Sequence, residues 1–319
     1  QENNNLTRTN RPVRLGIPFP RGKLKNLQLL ELINEAGERL PFQSNITAHW
    51  DDQSFRWILI DFLTSIEANQ TIQYRLNITS KSHKSNINNA LGYSENEREI
   101  IVSTGVASFH INKHNFTPLN KIVTSLSGRV INESKTSLVD DSGEILEATI
   151  KKIGYPQQDQ DQRLTFEFEG VFKKSKIPFL RFKSSLTFFV GSALCELDFT
   201  LHNPDRAIHP GGFWDMGDPS SKYFESLTIS LGLPEITEKF WKNLEERNFS
   251  KLEGEKIRLY QDSSGGENWK HHIHIDKDGE STVSFRGYQL ISDNKTIKEG
   301  LRASPVFQIK TDHGHIQAT

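Results

Sequence analysis

Apolar and polar residues alternate in short runs along most of this chain, with Gly, Asn and Pro between them. Residues 13–17, 28–33, 55–62 and 71–78 form the first group. In the last of these, Ile72, Tyr74, Leu76 and Ile78 share one face if the segment is extended. Runs of this length and spacing predict strands of a small all-β unit, a barrel or sandwich. Asn34-Glu-Ala-Gly-Glu38 and Trp50-Asp-Asp-Gln-Ser54 carry the residues of hairpin turns. Residues 81–97 lose the alternation and become polar, which places a domain junction there and predicts domains at 1–97 and 98–319. The pattern resumes at 99–103, 107–111, 146–150, 163–172, 179–190 and 193–201. Leu164, Phe166 and Phe168 alternate with Thr165, Glu167 and Glu169, as a strand with one buried face requires. Short connections point to antiparallel pairing in a large sandwich. One segment departs from this pattern. Phe240, Trp241 and Leu244 are helically spaced and Thr237 is a fitting N-cap, so 237–249 is predicted as a helix.

Composition narrows the partners. The chain has 319 residues and a formal net charge of -1, so no global field favours nucleic acid or a membrane surface. No stretch reaches the apolar length of a membrane span. Neutral partners such as sugars fit this balance. The 20 Phe and 5 Trp supply the large buried surfaces of a core, and Trp50 and Trp57 are read as core anchors. The single cysteine, Cys195, lies in an apolar run and reads as a buried structural thiol. The first residue is Gln1, the one methionine is Met216, and eight Asn-x-Ser/Thr sequons occur, Asn45 opening one of them. A processed secreted or periplasmic protein is the expectation.

Between the runs at 194–201 and 224–231 lies a long connection rich in Gly, Pro and aromatic residues. Long irregular connections that hold large apolar side chains are usually ordered and functional. This one presents His209, Trp214, Asp215 and Asp218; the bland alternative is a Trp-anchored corner capping a sandwich. His272, His274 and Asp276 fall on one face if their segment is a strand, which suits a divalent cation, with His313 and His315 as further ligands. A solvated strand face is the simpler reading, so no cofactor is expected. Ser263-Ser-Gly-Gly-Glu267 lacks the lysine and helix of a phosphate loop.

Several motifs in order resemble a known family. Gly16-Ile-Pro-Phe-Pro-Arg-Gly22, then Trp50-Asp-Asp-Gln-Ser-Phe-Arg-Trp57 with Asp61, is similar to the amino-terminal RIFT barrel of the exo-rhamnogalacturonan lyase and YetA-like family. Its form is roughly G-x-P-F-P-x-G and W-x-D-G-S-x-K-W. Gln53 stands where the family has a turn glycine and Arg56 where lysine is common. His209-Pro-Gly-Gly-Phe-Trp-Asp-Met-Gly-Asp218, Leu259-Tyr-Gln-Asp-Ser-Ser-Gly-Gly-Glu-Asn-Trp269, Phe285-Arg-Gly-Tyr288 and Gly300-Leu-Arg-Ala303 resemble its central sandwich domain. The resemblance implies an all-β fold, a small RIFT-type β-barrel followed by a large antiparallel β-sandwich. It also implies an α/α toroid as a following partner domain, which residues 1–319 do not include; a fragment and a shorter natural variant both fit.

The implied activity is lyase cleavage of an acidic polysaccharide containing uronate and rhamnose. That chemistry needs a group that stabilises enolate-like charge, a base, and an acid for the leaving oxygen. The long loop offers Arg206, His209 and Tyr223 for these roles, His209 first as base, with Asp215 and Asp218 as orienters; a histidine that merely ties the loop to a carboxylate is the alternative. Trp214, Tyr260, Trp269, Arg286 and Tyr288 are the candidates for binding sugar rings. Two further readings remain open: a carbohydrate-binding or scaffold module without activity, and a glycoside hydrolase using the Asp215 and Asp218 pair.

Overall fold

Strand Phe55–Ile66 shows why the chain folds as it does. Its Ile58, Ile60 and Phe62 are buried, while Trp57 and Leu59 alternate with them on the other face. In the computed structural model, which describes residues 7–80, 91–126, 128–156, 161–206, 208, 219–271 and 283–319, this strand pairs on one side with Arg8–Pro18 and on the other with Gln43–His49. A second three-stranded sheet, Arg39–Leu40, Leu30–Ile33 and Arg75–Ile78, completes a small barrel. Its core joins Leu24, Leu30, Leu32 and Phe55 to the three inward residues of the long strand. Residues 71–74 precede the last strand rather than belonging to it.

Both anticipated turns form. Asn34 N donates to Glu38 O and Gly37 N to Asn34 O, both at 3.0 Å, and Gly37 adopts φ +79°. In the second turn Trp50 N donates to Ser54 O at 2.8 Å, and Gln53 adopts φ +64°. A side chain in this left-handed region costs about 1 kcal/mol, which glycine avoids. Gln53→Gly is therefore expected to raise stability by about 0.5 kcal/mol, once the extra freedom of glycine in the unfolded chain is subtracted. A urea titration measures it; an unchanged or lower midpoint would mean that the exposed Gln53 side chain contributes more than its strain.

By contact density the chain divides into two units, Gln1–Leu126 with Ile150–Gly170 and Phe182–Thr200, and Ser127–Thr149 with Val171–Arg181 and Leu201–Thr319. In the first, strands Gly92–Glu95, Glu99–Ser103, Ala107–Asn112 and Lys121–Thr124 form an antiparallel meander. Their inner face meets the unit's share of Arg163–Lys174 and Ile177–Phe189 through phenylalanines. Phe109 lies 4.8 Å from Phe188, and Phe116 lies 5.4 Å from Phe168 and 5.3 Å from Phe182, ring centre to ring centre. This is sandwich packing with an aromatic core.

In the second unit, Glu133–Asp140 pairs antiparallel with Phe224–Gly232. A four-stranded sheet runs Ser250–Leu252, Ile236–Asn243, Pro305–Thr311, Gly314–Ala318, and a three-stranded one Ile257–Gln261, Tyr288–Ser292, Lys295–Gly300. They share a core of Trp241, Leu252, Tyr288 and Leu290. The helix expected at 237–249 is instead strand Ile236–Asn243 followed by a turn, in which Glu246 N donates to Asn243 O at 2.9 Å. Helical spacing of Phe240, Trp241 and Leu244 lost to pairing with Pro305–Thr311, which buries Trp241 completely and leaves Leu244 half exposed. The protein is all-β: one turn of 3₁₀-helix at Leu27–Leu29 is the sole helix among the described residues, and none is long and apolar enough to cross a membrane.

Candidate functional site

The outer face of the barrel sheet begins with a row across three strands, Arg14, Asp61 and Gln43. Asp61 is 4 % exposed. Arg14 holds it with two contacts, Nε to Oδ1 at 3.0 Å and Nη2 donating to Oδ2 at 3.2 Å. A second guanidinium, Arg163, approaches the same Oδ1 at 3.6 Å from the start of strand Arg163–Lys174. Gln43, also buried, fixes that approach: its Oε1 accepts from the backbone N–H groups of Gln162 and Arg163 at 3.1 and 3.2 Å. The guanidinium is further held by Thr165 and Thr187 hydroxyls at 3.5 Å each, by Glu196 at 3.6 Å, and over the Phe189 ring at 5.4 Å.

Burial pushes the Asp61 carboxyl above its usual value, against the pull of Arg14 and Arg163. Burial lowers Arg163, and neighbouring Arg14 adds to that. Two like charges thus share one buried carboxylate, while Glu196 is half exposed and screened by solvent. Both guanidinium groups line a groove of about 470 Å³ whose walls also include Asn45, Tyr155, Thr165, Glu167 and Ser185. A second hollow of about 270 Å³ shares Glu167 and Ser185 with it and reaches Asp198 and Lys183. The walls offer hydroxyls, amides and carboxylates, the partners a polyhydroxylated ligand needs.

Tyr155 is poorly suited to proton abstraction. Its hydroxyl donates to Glu95 Oε2 at 2.7 Å, and burial together with that carboxylate raises the phenol. Cys195 is only partly buried as a residue, but burial of its sulfur and the Glu196 charge keep the thiol protonated. No group of three or more His, Cys, Asp or Glu close enough to hold a metal ion occurs among the described residues. The proposed ligands His272, His274 and Asp276 lie outside the described residues.

So do His209, Trp214, Asp215 and Asp218. The ends of their loop are described: Asn203 Nδ2 donates to Ser220 O at 2.8 Å, and Lys222 pairs with Asp205. Arg206 and Tyr223, beside these ties, are exposed. The other sequence candidates gather elsewhere in the second unit. Tyr260 donates through its hydroxyl to Asp262 Oδ1 at 2.7 Å, and its ring meets Phe285 edge-on. Asp262 also accepts from the Ser284 hydroxyl and from the backbone N–H groups of Ser284 and Phe285, and these bonds, Tyr260 first, hold its carboxyl down at about 2. Arg286 Nε donates to Gly265 O at 2.8 Å, and Trp269 is partly exposed nearby in the chain. Tyr288, expected to bind sugar, is 4 % exposed with its ring 6.3 Å from Trp241. It is a core residue, because its strand turns that face toward the facing sheet.

Trp57, read from sequence as a core anchor, is 41 % exposed. Its neighbours Ile58 and Phe55 take the inward positions, so the indole faces out. Trp50 is better satisfied: Nε1 donates to Phe19 O at 2.9 Å and Arg56 covers its ring at 4.7 Å.

Residues 3–79 match the family model of the PcRGLX-like N-terminal RIFT barrel domain. The match rests on the barrel that carries Arg14, Gln43, Trp57 and Asp61, and it supports a rhamnogalacturonan lyase-like family in the coarse sense. No curated protein matches the chain. The RIFT barrel therefore supplies one wall of the groove, and strands Arg163–Lys174 and Ile177–Phe189 supply the other. Arg14, Gln43, Tyr155 and Arg163 were not legible as a site in sequence, because 120 residues separate Gln43 from Arg163.

Proposed function

We propose that this is a carbohydrate-active protein that holds an acidic saccharide in the groove at Arg14 and Arg163. One observation carries the reading: two guanidinium groups share a single buried carboxylate at the base of a polar groove. A uronate carboxylate placed there would take charge-assisted hydrogen bonds from the two guanidinium groups in competition with half-exposed Glu196, with Asn45, Thr165 and Ser185 available to sugar hydroxyls. The barrel's match to a rhamnogalacturonan lyase-like family supports a polysaccharide containing uronate and rhamnose as the substrate class. In the fuller form of this proposal the chain is the non-toroid portion of a secreted polysaccharide lyase-like protein. In that form the candidates for the chemistry belong to the second unit and are proposed independently of the groove: His209 as base, Arg206 as charge-stabilising group and Tyr223 as acid, with an α/α toroid as partner domain.

The second reading is a binding module without activity, in which Tyr155, bonded to Glu95, serves only as part of the groove wall. Incubation with uronate-bearing polysaccharides separates the two, with ultraviolet absorbance reporting unsaturated product and calorimetry reporting binding. Uronate saccharides are expected to bind in preference to neutral ones, and Arg163→Gln to weaken them about 10- to 100-fold, the loss of a charge-assisted pair. Equal binding of neutral saccharides, or none changed by Arg163→Gln, would remove the groove from consideration. Product that disappears with His209→Ala would establish the lyase; binding without product would leave the module.

A further inference from the structure

The geometry points to a second saccharide subsite on the outer face of the RIFT barrel, with the indole of Trp57 as its platform. The inference rests on the groove reading above and extends it. An acidic oligosaccharide anchored by its carboxylate at Arg14 and Arg163 would run along the sheet and stack a later ring on Trp57.

Strand phase supplies the first support. Residues 57, 59 and 61 alternate with the buried 58, 60 and 62, so Trp57, Leu59 and Asp61 share the face that carries Arg14 and Gln43. Asn45, which lines the groove, stands opposite Leu59 between the two ends. Four residues of strand separate Trp57 from Asp61, roughly 13 Å along the sheet. One monosaccharide does not bridge that span, and a short oligosaccharide does.

The second support is the seat of the indole. On the neighbouring strand Gly16 pairs with Leu59, and a Cβ built on Gly16 would lie 3.7 and 3.8 Å from Trp57 Cζ3 and Cε3. The Cζ3–Cε3 edge of the ring therefore rests beside the backbone of Gly16, and 41 % of the residue stays exposed. The barrel core is complete without it. Leaving so large an aromatic surface in water forgoes the stabilisation its burial would bring. The face of Trp50, in the same hairpin, is by contrast covered by Arg56. An exposed indole, with the Asn45 amide one cross-strand pair further along, matches the C–H patches and hydroxyls of a pyranose, and the guanidinium groups of Arg14 and Arg163 at the far end offer charge-assisted hydrogen bonds to a carboxylate.

The test titrates the full chain with galacturonate and its di-, tri- and tetrasaccharides by calorimetry, for wild type, Trp57→Ala and Trp57→Phe, with thermal melts confirming each fold. Wild-type affinity is expected to rise roughly tenfold from monosaccharide to tetrasaccharide. The tetrasaccharide-to-monosaccharide ratio should collapse toward one in Trp57→Ala and recover in part in Trp57→Phe. A wild-type monosaccharide site that depends on Arg163 but shows no gain with length would overturn the subsite and leave the groove standing. A length gain that survives Trp57→Ala would likewise overturn it, and would place the added contacts elsewhere. Absence of binding by every uronide would overturn both the groove and the subsite.

Discussion

Asp61→Ala lowers the stability of the chain by about 3 kcal/mol, the lower end for breaking a buried pair, because it removes the buried carboxylate that part-exposed Arg14 and largely buried Arg163 share. Arg14 loses both of its contacts to the carboxylate, and Arg163 loses the anion nearest its Nη1. The penalty comes from leaving charge unpaired, not from a large net gain in making the pair. The raised Asp61 carboxyl shows the same thing, since burial outweighs the attraction of its partners. Asp61→Asn should therefore cost less than Asp61→Ala, since its oxygen still accepts from the guanidinium groups. Urea unfolding distinguishes these outcomes; an Asp61→Ala loss below about 1 kcal/mol would mean that solvent screens the cluster as it does a surface pair. The neutral variant carries a second expected result. With the anion gone and the fold retained, Asp61→Asn should bind uronate more tightly than wild type, because the ligand meets Arg14 and Arg163 with one competing carboxylate fewer beside them.

Gly287→Ala is expected to cost at least about 3 kcal/mol, through backbone strain and overpacking together. Gly287 adopts φ +84°, and an added Cβ would stand 2.0 Å from Gly300 O and 2.8 Å from Leu301 Cα. Those are backbone atoms of the facing strand end and cannot swing aside. The shift would also disturb the bond from Gly287 N to Ser263 Oγ at 2.8 Å and the one from Asp262 N to Gly287 O at 3.0 Å. Gly37→Ala makes the control, since its φ is +79° but nothing lies within 4 Å of the added carbon; its cost should be strain alone, about 1 kcal/mol. Equal losses for the two variants, read by the same urea titration, would show that the close approach at Gly287 relaxes freely.

The strands of the barrel and the sandwich core were legible because alternation is a local signal. Phe55 to Phe62 and Leu164 to Phe168 announce their buried faces without knowledge of any partner. Ile236–Asn243 was not, since its spacing fits a helix equally well and only the distant strand Pro305–Thr311 decides the matter. The motifs around 259–269, 285–288 and 300–303 were visible as motifs, but their cause was not. Gly265 and Gly287 let the loop and the Phe285-Arg-Gly-Tyr288 segment touch the backbone at 300–301, a reason of packing rather than of sugar recognition. Trp57 illustrates a different kind of miss. Its phase against Ile58 and Ile60 was in the sequence, yet its chemical type argued for burial. The groove left no local trace, since its arginines and their shared carboxylate come from three strands far apart in the chain.

Asn45 adds a consequence that concerns production of the protein. It lies in the groove and opens the sequon Asn45-Ile-Thr47, whose threonine hydroxyl donates to Trp57 O at 3.2 Å. In a eukaryotic secretory host, oligosaccharide transferred to that amide would fill the space beside Arg14 and lie across the path toward Trp57. Material from such a host would carry its own tethered competitor, whereas bacterial cytosol would yield an open groove. The expression system, as much as the sequence, would then determine which surface a ligand meets.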